Sequence, residues 1–246
     1  MRSIRTLIAI GVVAALAVTA MAAPVSAASM GRMTVINGIP GTKIDVCIGS
    51  SKEIRSGLKY GGVYKKQLTG IKRLRFRKAS PGTCTGKILA GRTVGFPSGS
   101  DKTVVVTSKV PKVLVFNNAN LGTQTAVVEP DGALAIRHAA DLGWNTVHFR
   151  RVLWKKDADI PFTPNVAAVD PLAFEKGDEY TGPTVVNPDY VVRVKVTRPD
   201  PAIVLAKSPV FEVGALKRYE FIFVGTKTTN VKLVRVISGL SSPPAP

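Results

Sequence analysis

The sequence predicts an all-β protein made of two similar units. Short runs of Val, Ile, Leu and Phe recur about every ten positions, and turn residues separate them, with 22 Gly and 17 Pro in the chain. No long stretch carries the apolar stripe of an amphipathic helix. The chain also resembles itself, beginning with residues 34–49, which match residues 135–150 at a shift of 101. These observations favour strands over helices throughout.

Residues 1–27 have the three-part pattern of a secretory signal peptide. Arg2 and Arg5 precede an apolar run that extends to about residue 23, and the small-residue triplet Val25-Ser26-Ala27 follows Pro24. We expect cleavage after Ala27; a retained membrane anchor is the alternative, which the shortness of the run disfavours. The mature chain of about 219 residues is predicted to be secreted or held in the cell envelope, with no transmembrane anchor.

The two cysteines, Cys47 and Cys84, both fall in the predicted mature chain. In an oxidising compartment an even pair predicts a disulfide. A redox or nucleophilic thiol would need a CxxC spacing or a nearby base, and neither is visible. The bridge would close a loop of 38 residues.

An internal comparison divides the mature chain into two copies. We predict one domain at residues 31–125, a second at residues 126–240, and a short disordered tail at residues 241–246. Four segments match in the same order: 34–49 with 135–150, 87–91 with 203–207, 99–106 with 214–221, and 112–116 with 232–236.

The basic segment IKRLRFRK (71–78) matches VVRVKVTR (191–198) in the second copy. Leu74 and Phe76 share one face of the predicted strand, and Arg73, Arg75 and Arg77 share the other. The segment is therefore interpreted as a half-buried strand, and any binding role belongs to its outward arginines.

Four motifs of the chain carry a resemblance to a known family: INGIPGTKIDVCIG, LKYGGVY, the Gly-led turn before TVVV, and KVLVF. Together they resemble the bacterial family called domain of unknown function 4397. Asp45 stands at the family's Val-Asp-Val strand, and His138 and Asp141 stand at its usual His and Asp around the first turn of the second copy. The first copy departs from this pattern with Asn37 and Pro40. The resemblance implies an exported immunoglobulin-like β-sandwich in each copy and implies no activity.

Positive charge is concentrated in the first unit. Residues 28–126 carry 17 Lys or Arg against 3 Asp or Glu, a net charge of +14, whereas residues 127–246 carry +2. This asymmetry favours contact with an anionic partner; a solvated strand face that resists aggregation is the alternative. The predicted polyanion-binding residues are Lys65, Lys66, Lys72, Arg73, Arg75, Arg77 and Lys78.

An anionic cell-wall polymer or envelope partner is the predicted ligand of these residues. Nucleic acid is disfavoured because aromatic side chains should be interleaved with the basic ones, and Phe76 points toward the core. Binding through charge alone should weaken steeply with salt.

No catalytic constellation is evident, so the chain is predicted not to be an enzyme and to need no cofactor or metal. His138 and His148 lack the spacing of metal ligands, and no nucleophile elbow, P-loop or dinucleotide fingerprint occurs. A group of acidic residues misses the EF-hand pattern, which favours solvated loop charges: Asp157, Asp159, Asp170, Glu175, Asp178 and Glu179.

Two alternatives to a polyanion-binding module remain. Trp144 and Trp154 flank the predicted strand that contains His148, and Trp154 lies at the start of an inserted segment, residues 152–171. Aromatic rings near a loop can stack on sugars, which is compatible with carbohydrate binding or, with nearby carboxylates, with a carbohydrate-active enzyme. A structural spacer without any ligand is the other alternative.

Overall fold

A computed structural model describes most of the chain and confirms the all-β fold class. The described residues form strands and turns, with no helix among them. The described ranges are 30–82, 84–110, 112–118, 133–142, 146–155, 161–162, 167–173, 177–180, 190–198, 203–212 and 217–239. The strands are β1 (Gly31–Asn37), β2 (Ile44–Ile48), β3 (Lys52–Leu58), β4 (Val63–Leu68), β5 (Gly70–Lys78), β6 (Ile88–Phe96), β7 (Asp101–Val106), β8 (Val113–Asn117), β9 (Ala133–Ala140), β10 (Thr146–Lys155), β11 (Pro161–Phe162), β12 (Ala167–Ala173), β13 (Gly177–Tyr180), β14 (Tyr190–Thr197), β15 (Val204–Lys207), β16 (Phe211–Glu212), β17 (Lys217–Gly225) and β18 (Lys232–Gly239).

The described strands assemble into four sheets. Sheet I has the order β3-β2-β5-β6, and sheet II has the order β4-β1-β7-β8. Sheet III has the order β13-β9-β17-β18, and sheet IV follows β11-β10-β14-β15, with β12 also paired to β10 and β16 to β14. Neighbouring strands are antiparallel except for β1 with β7 and β9 with β17, which are parallel.

Three hydrophobic cores formed by described residues join the sheets in the layer order I, II, III, IV. Sheets I and II share a core that contains Phe76 and Val104, and sheets III and IV share one that contains Phe149 and Phe221. A third core joins sheets II and III across the two halves of the chain, and we call this contact the central interface. Its apolar members are Ile36, Val105, Leu114, Phe116, Ala139, Ile222, Val224, Val234 and Val236.

Sheets II and III are therefore buried on both faces, in contrast to the half-buried strand predicted for residues 71–78. In β7, Val104 and Val106 pack toward sheet I, while Val105 packs into the central interface. Runs such as TVVV in β7 and FIFV in β17 are the near-continuous apolar pattern of strands with two buried faces. The period of two holds for β5, whose outer face carries the arginines.

The two inner sheets have corresponding strand orders. In each, a central strand (β1 or β9) pairs with a short edge strand on one side and with a parallel strand on the other, and a hairpin follows. The segments that match in sequence lie on corresponding strands, such as β5 and β14. Duplication into domains 31–125 and 126–240 with an immunoglobulin-like arrangement stays a prediction.

The predicted disulfide between Cys47 and Cys84 is formed, with Cα atoms 6.2 Å apart. Cys47 lies on β2 and is fully buried, and Cys84 lies in the connection between β5 and β6. The bridge therefore holds this connection against sheet I.

Several predicted features lie outside the described residues: the signal peptide, the tail 241–246, Trp144, Asp157, Asp159 and Glu175. The inserted segment 152–171 is described in part, as the end of β10, β11 and the start of β12. Trp154 lies on β10, Asp170 on β12, and Asp178 and Glu179 on β13. No helix among the described residues has the length and apolar character needed to cross a bilayer.

Candidate polyanion-binding site

Strand β5 presents three arginines on the outer surface of sheet I. Leu74 and Phe76 are fully buried in the core between sheets I and II. Because successive side chains of a strand point to opposite faces, Arg73, Arg75 and Arg77 lie on the other face, where Arg73 is exposed and the other two are half-buried. We call these three residues the arginine face.

A surface groove of about 400 Å³ lies at one end of the arginine face, beside Arg73 and Arg75. Arg73 and Arg75 line it together with Thr93 and Gly91 of the neighbouring strand β6. Gly91 pairs with Arg75, and a Cβ atom at residue 91 would lie 3.8 Å from Arg75 Cγ. The missing side chain leaves the groove open beside Arg75.

Arg73 and Arg75 have no ion pair or side-chain hydrogen bond with the described part of the chain. Arg77 differs, because its Nη1 atom donates to the Gly86 carbonyl oxygen at 2.8 Å and its strand neighbour is Asp45. The Asp45 carboxylate accepts a hydrogen bond from the Gly57 N–H at 2.8 Å. The groove end near Arg73 and Arg75 therefore offers cations that the fold does not neutralise.

The structure divides the seven predicted polyanion-binding residues among several surfaces. Lys72 and Lys78 lie at the two ends of β5, in register with the core-lining residues Val94 and Ile44. Lys65 and Lys66 lie on β4, in sheet II. These four lysines do not line the groove of the arginine face.

The central interface holds a buried polar network that sequence reasoning missed. Asp101, on β7, accepts a hydrogen bond from Arg218 Nη2 of β17 at 2.9 Å. The same carboxylate lies 3.2 Å from Arg32 Nη2, and Asn118 Nδ2 is 3.4 Å from its other oxygen. Asp101 thus joins the two halves of the chain through a charged contact.

Glu220 forms the second half of this network. Its Oε2 atom accepts a hydrogen bond from the Thr103 hydroxyl at 2.7 Å, and its Oε1 atom lies 3.6 Å from Arg137 Nε. Arg137 Nη2 donates to Asn118 Oδ1 at 3.1 Å, and Asn118 Nδ2 donates to Thr103 Oγ1 at 2.8 Å. Burial raises the pKa of Glu220, whereas Arg137, the Thr103 hydrogen bond and Arg218 act in the opposite direction.

Two apolar runs could have indicated this interface from the sequence, namely residues 104–106 and 221–224. Such runs are typical of strands with both faces covered. The charged residues beside them then become candidates for a polar contact between sheets. Nothing in the spacing of Asp101 and Glu220 identifies their partners, since Arg218 is 117 residues from Asp101.

Tyr60 makes a further contact across the central interface. Its hydroxyl donates to the Val224 carbonyl at 3.2 Å and also contacts the Asn230 carbonyl, and Lys232 Nζ lies 4.7 Å from the centre of its ring. Burial raises the pKa of Tyr60 to about 12. At the turn it reaches, Gly225 has a positive φ of 133°, and a Cβ atom there would lie 3.0 Å from the Tyr60 hydroxyl.

The histidines do not form a metal site with described residues. His138 is fully buried on β9, packs 5.8 Å from the Phe223 ring, and accepts a hydrogen bond from the Ala140 N–H at its Nδ1 atom. His148 lies on β10. No group of three or more His, Cys, Asp or Glu residues in the described ranges has the arrangement of metal ligands.

No family model matches the chain, and no curated protein matches it either. Among solved structures, a family 26 carbohydrate-binding module from Eubacterium rectale, in complex with maltoheptaose, is 11% identical with a TM-score of 0.22, over 87% of this chain and 98% of that one. A candidate cell adhesion protein from Bacteroides ovatus is 8% identical with a TM-score of 0.24, over 87% and 99%. A two-domain portion of extended-synaptotagmin 2 is 11% identical with a TM-score of 0.21, over 95% and 99%. At these TM-scores the likenesses carry no conclusion about what this chain binds.

Proposed function

We propose that this chain is a non-catalytic, exported module of the bacterial envelope that binds an anionic cell-wall polymer through the arginine face. The observation that carries the proposal is the groove in which Arg73 and Arg75 lie side by side without an acidic partner among the described residues. Arginine on an open surface is suited to phosphate and carboxylate groups, which its planar guanidinium can hold through two parallel hydrogen bonds.

The spacing of the arginine face suits a polymer better than a single small ion. Alternate residues of a strand are about 6.8 Å apart, so Arg73, Arg75 and Arg77 extend over about 14 Å. Successive anionic groups of one chain could then contact successive guanidinium groups. Among the described residues that line the groove none is aromatic, which disfavours single-stranded nucleic acid because such sites use aromatic side chains to stack bases.

Export and the envelope location belong to the same proposal. The disulfide between Cys47 and Cys84 is consistent with folding in an oxidising compartment, and residues 1–27 have the pattern of a signal peptide. Two tandem domains of the family called domain of unknown function 4397 would place a basic module beside a nearly neutral one. A role in adhesion or attachment follows if the basic module binds the cell-wall polymer.

The test is retention on isolated bacterial cell walls that carry a phosphate-rich polymer. The wild type should be retained at about 0.05 M salt and released well below about 1 M, because the Debye length falls from above 10 Å to about 3 Å over this range. Walls from which the phosphate polymer has been extracted should retain far less protein.

A matched pair of variants locates the contact. Arg73→Gln with Arg75→Gln should weaken retention about tenfold or more, if each lost charge-assisted contact contributes about 1 kcal/mol. Lys52→Gln with Lys227→Gln removes the same charge from exposed positions that do not line the groove and should retain nearly wild-type binding. Equal losses in both variants would show a nonspecific charge effect and contradict the proposal.

The same experiment separates the two alternatives. Carbohydrate binding would be favoured if the protein is retained on a neutral glucan, if salt does not release it, and if the Arg73→Gln with Arg75→Gln variant is retained equally well. Absence of retention on every matrix at low salt would favour a spacer.

A further inference from the structure

A second cavity lies at one edge of the central interface, away from the arginine face. It has a volume of about 430 Å³, within the range of about 300–1,000 Å³ that is typical of small-molecule sites. Strands β1, β4 and β7 of the first half line it together with β17 and β18 of the second half. The cavity therefore exists only where the two halves are in contact.

The lining of this cavity is strongly cationic. Arg32, Lys65, Lys66 and Arg218 line it, and Asp101 is the one carboxylate among the described lining residues. Asp101 already accepts from Arg218 at 2.9 Å and pairs with Arg32 at 3.2 Å. The lining thus carries a net charge of +3, because Asp101 offsets only one of its four positive charges.

Several donors on the lining keep unused hydrogen-bonding capacity. Arg218 has a side chain only 3% exposed, and its Nε atom has no hydrogen-bond partner among the described residues. Ser238 Oγ, from the opposite strand of the hairpin, is likewise buried without a partner in the described ranges. Lys65 Nζ donates to the Ile237 carbonyl at 2.6 Å, which occupies one of the three N–H groups of its ammonium.

We propose that this cavity binds a phosphate group carried by a small molecule. A net charge of +3 matches a dianion better than a monocarboxylate, since the Coulomb energy grows with the charge of the ligand. Arginine and lysine together supply both the planar donors and the point charges that phosphate sites use. Inorganic phosphate alone would occupy only part of the cavity, so a phosphate monoester with a short polar body is the favoured class.

This site is independent of the polymer-binding proposal. It shares no residue with the arginine face and lies on sheets II and III, whereas that groove lies on sheet I. Because both halves of the chain contribute to the cavity, a bound phosphate group stabilises their contact. If the halves separate in some molecules, the apparent affinity falls in proportion to the fraction of molecules that keep the contact.

The test is calorimetric titration of the full-length exported protein with three probes: inorganic phosphate, sn-glycerol 3-phosphate and acetate. We expect saturable binding of one phosphate compound per chain and much weaker binding of acetate. Tighter binding of glycerol phosphate identifies an organic phosphate as the natural class, whereas tighter binding of inorganic phosphate identifies the free ion. Absence of saturable binding by both phosphate probes at low ionic strength would overturn the proposal.

Variants decide whether the cavity is the place of binding. Lys65→Gln with Lys66→Gln should weaken phosphate affinity about tenfold or more, while Lys52→Gln with Lys227→Gln and Arg73→Gln with Arg75→Gln should leave it within about twofold. Thermal unfolding without ligand checks that each variant is folded. If the Lys65→Gln with Lys66→Gln protein fails to fold, the single variant Lys66→Gln takes its place. Equal weakening by the cavity variant and by the Lys52 and Lys227 variant would also overturn the proposal.

Discussion

Glu220 carries a carboxylate that the fold buries between two sheets, where Thr103 and Arg137 contact it. Because burial raises its pKa, the folded state holds a proton more tightly than the unfolded chain does. Its contribution to stability is therefore fully present below the ordinary glutamate pKa of 4.5 and is lost as pH rises through the raised pKa.

This reasoning predicts a pH dependence that a substitution removes. The free energy of unfolding of the wild type, relative to that of Glu220→Gln, should fall as pH rises above 4.5. The fall should be about 1.4 kcal/mol for each pH unit in which Glu220 is ionised in the unfolded chain and still protonated in the folded protein. Urea unfolding at a series of pH values measures it. Glu53→Gln, on the edge strand β3, is the control, and a parallel pair of pH curves for wild type and Glu220→Gln would contradict the prediction.

Tyr60 provides a second prediction for a single residue. Tyr60→Phe keeps the ring beside Lys232 and removes the hydroxyl that bonds to the Val224 and Asn230 carbonyls. We expect the free energy of unfolding to fall by about 1 kcal/mol for the lost donor, and by up to about 3 kcal/mol if the buried carbonyls gain no other partner.

Tyr64→Phe is the matched control for this substitution. Tyr64 is half-buried against the core of sheets I and II, and its hydroxyl has no hydrogen bond with the described residues. Its loss should change stability by less than about 0.5 kcal/mol. Equal effects of the two substitutions in urea unfolding would contradict the role given to the Tyr60 hydroxyl.

At the scale of elements, the connection between β5 and β6 depends on the disulfide. Cys47 and Cys84 are 37 residues apart in sequence, and the chain-entropy treatment of such a loop gives about 4 kcal/mol of stabilisation. Cys47→Ser with Cys84→Ser should therefore lower the free energy of unfolding by about this amount, as measured by urea unfolding of both proteins under oxidising conditions. A reductant should produce the same loss in the wild type and none in the variant.

Strand β5 shows what the sequence predicts well about an element. Its alternation of apolar residues and arginines specifies a strand with one buried face, and the structure has that strand with Leu74 and Phe76 inside. The predicted set of basic residues does not lie on one sheet. Closeness in sequence grouped Lys65 and Lys66 with β5, but they belong to a different sheet, because the turn after β4 carries the chain from sheet II to sheet I.

Strands β7 and β17 show where prediction from the sequence fails. Their apolar runs fit strands covered on both faces, yet the same runs fit a single core if alternate residues are only partly covered. The partners of Asp101 and Glu220 come from the other half of the chain. No local pattern specifies a contact over more than a hundred residues, so the central interface becomes visible only when the strands are placed in space.

At the scale of the whole molecule, the central interface makes the halves of the chain depend on one another. Ile36, Val105, Leu114 and Phe116 are each at most 8% exposed because sheet III covers them. Without sheet III they would form a contiguous apolar patch on sheet II, and patches of that kind are sites of association. The cationic cavity at the edge of the interface would also lose the side contributed by β17 and β18.

A fragment of residues 28–126 should therefore fold and associate with itself. Sheets I and II retain their own core and the disulfide in this fragment, but the face that meets sheet III becomes exposed. We expect dimers or larger species in sedimentation experiments at micromolar concentration, and the intact chain under the same conditions supplies the reference. Val105→Thr with Leu114→Thr should shift the fragment toward the monomer, since both residues lie in the central interface and threonine reduces the apolar area. A wild-type fragment that stays monomeric would contradict the mutual dependence of the two halves. It would show that sheet II is stable in solution with its four apolar interface side chains exposed.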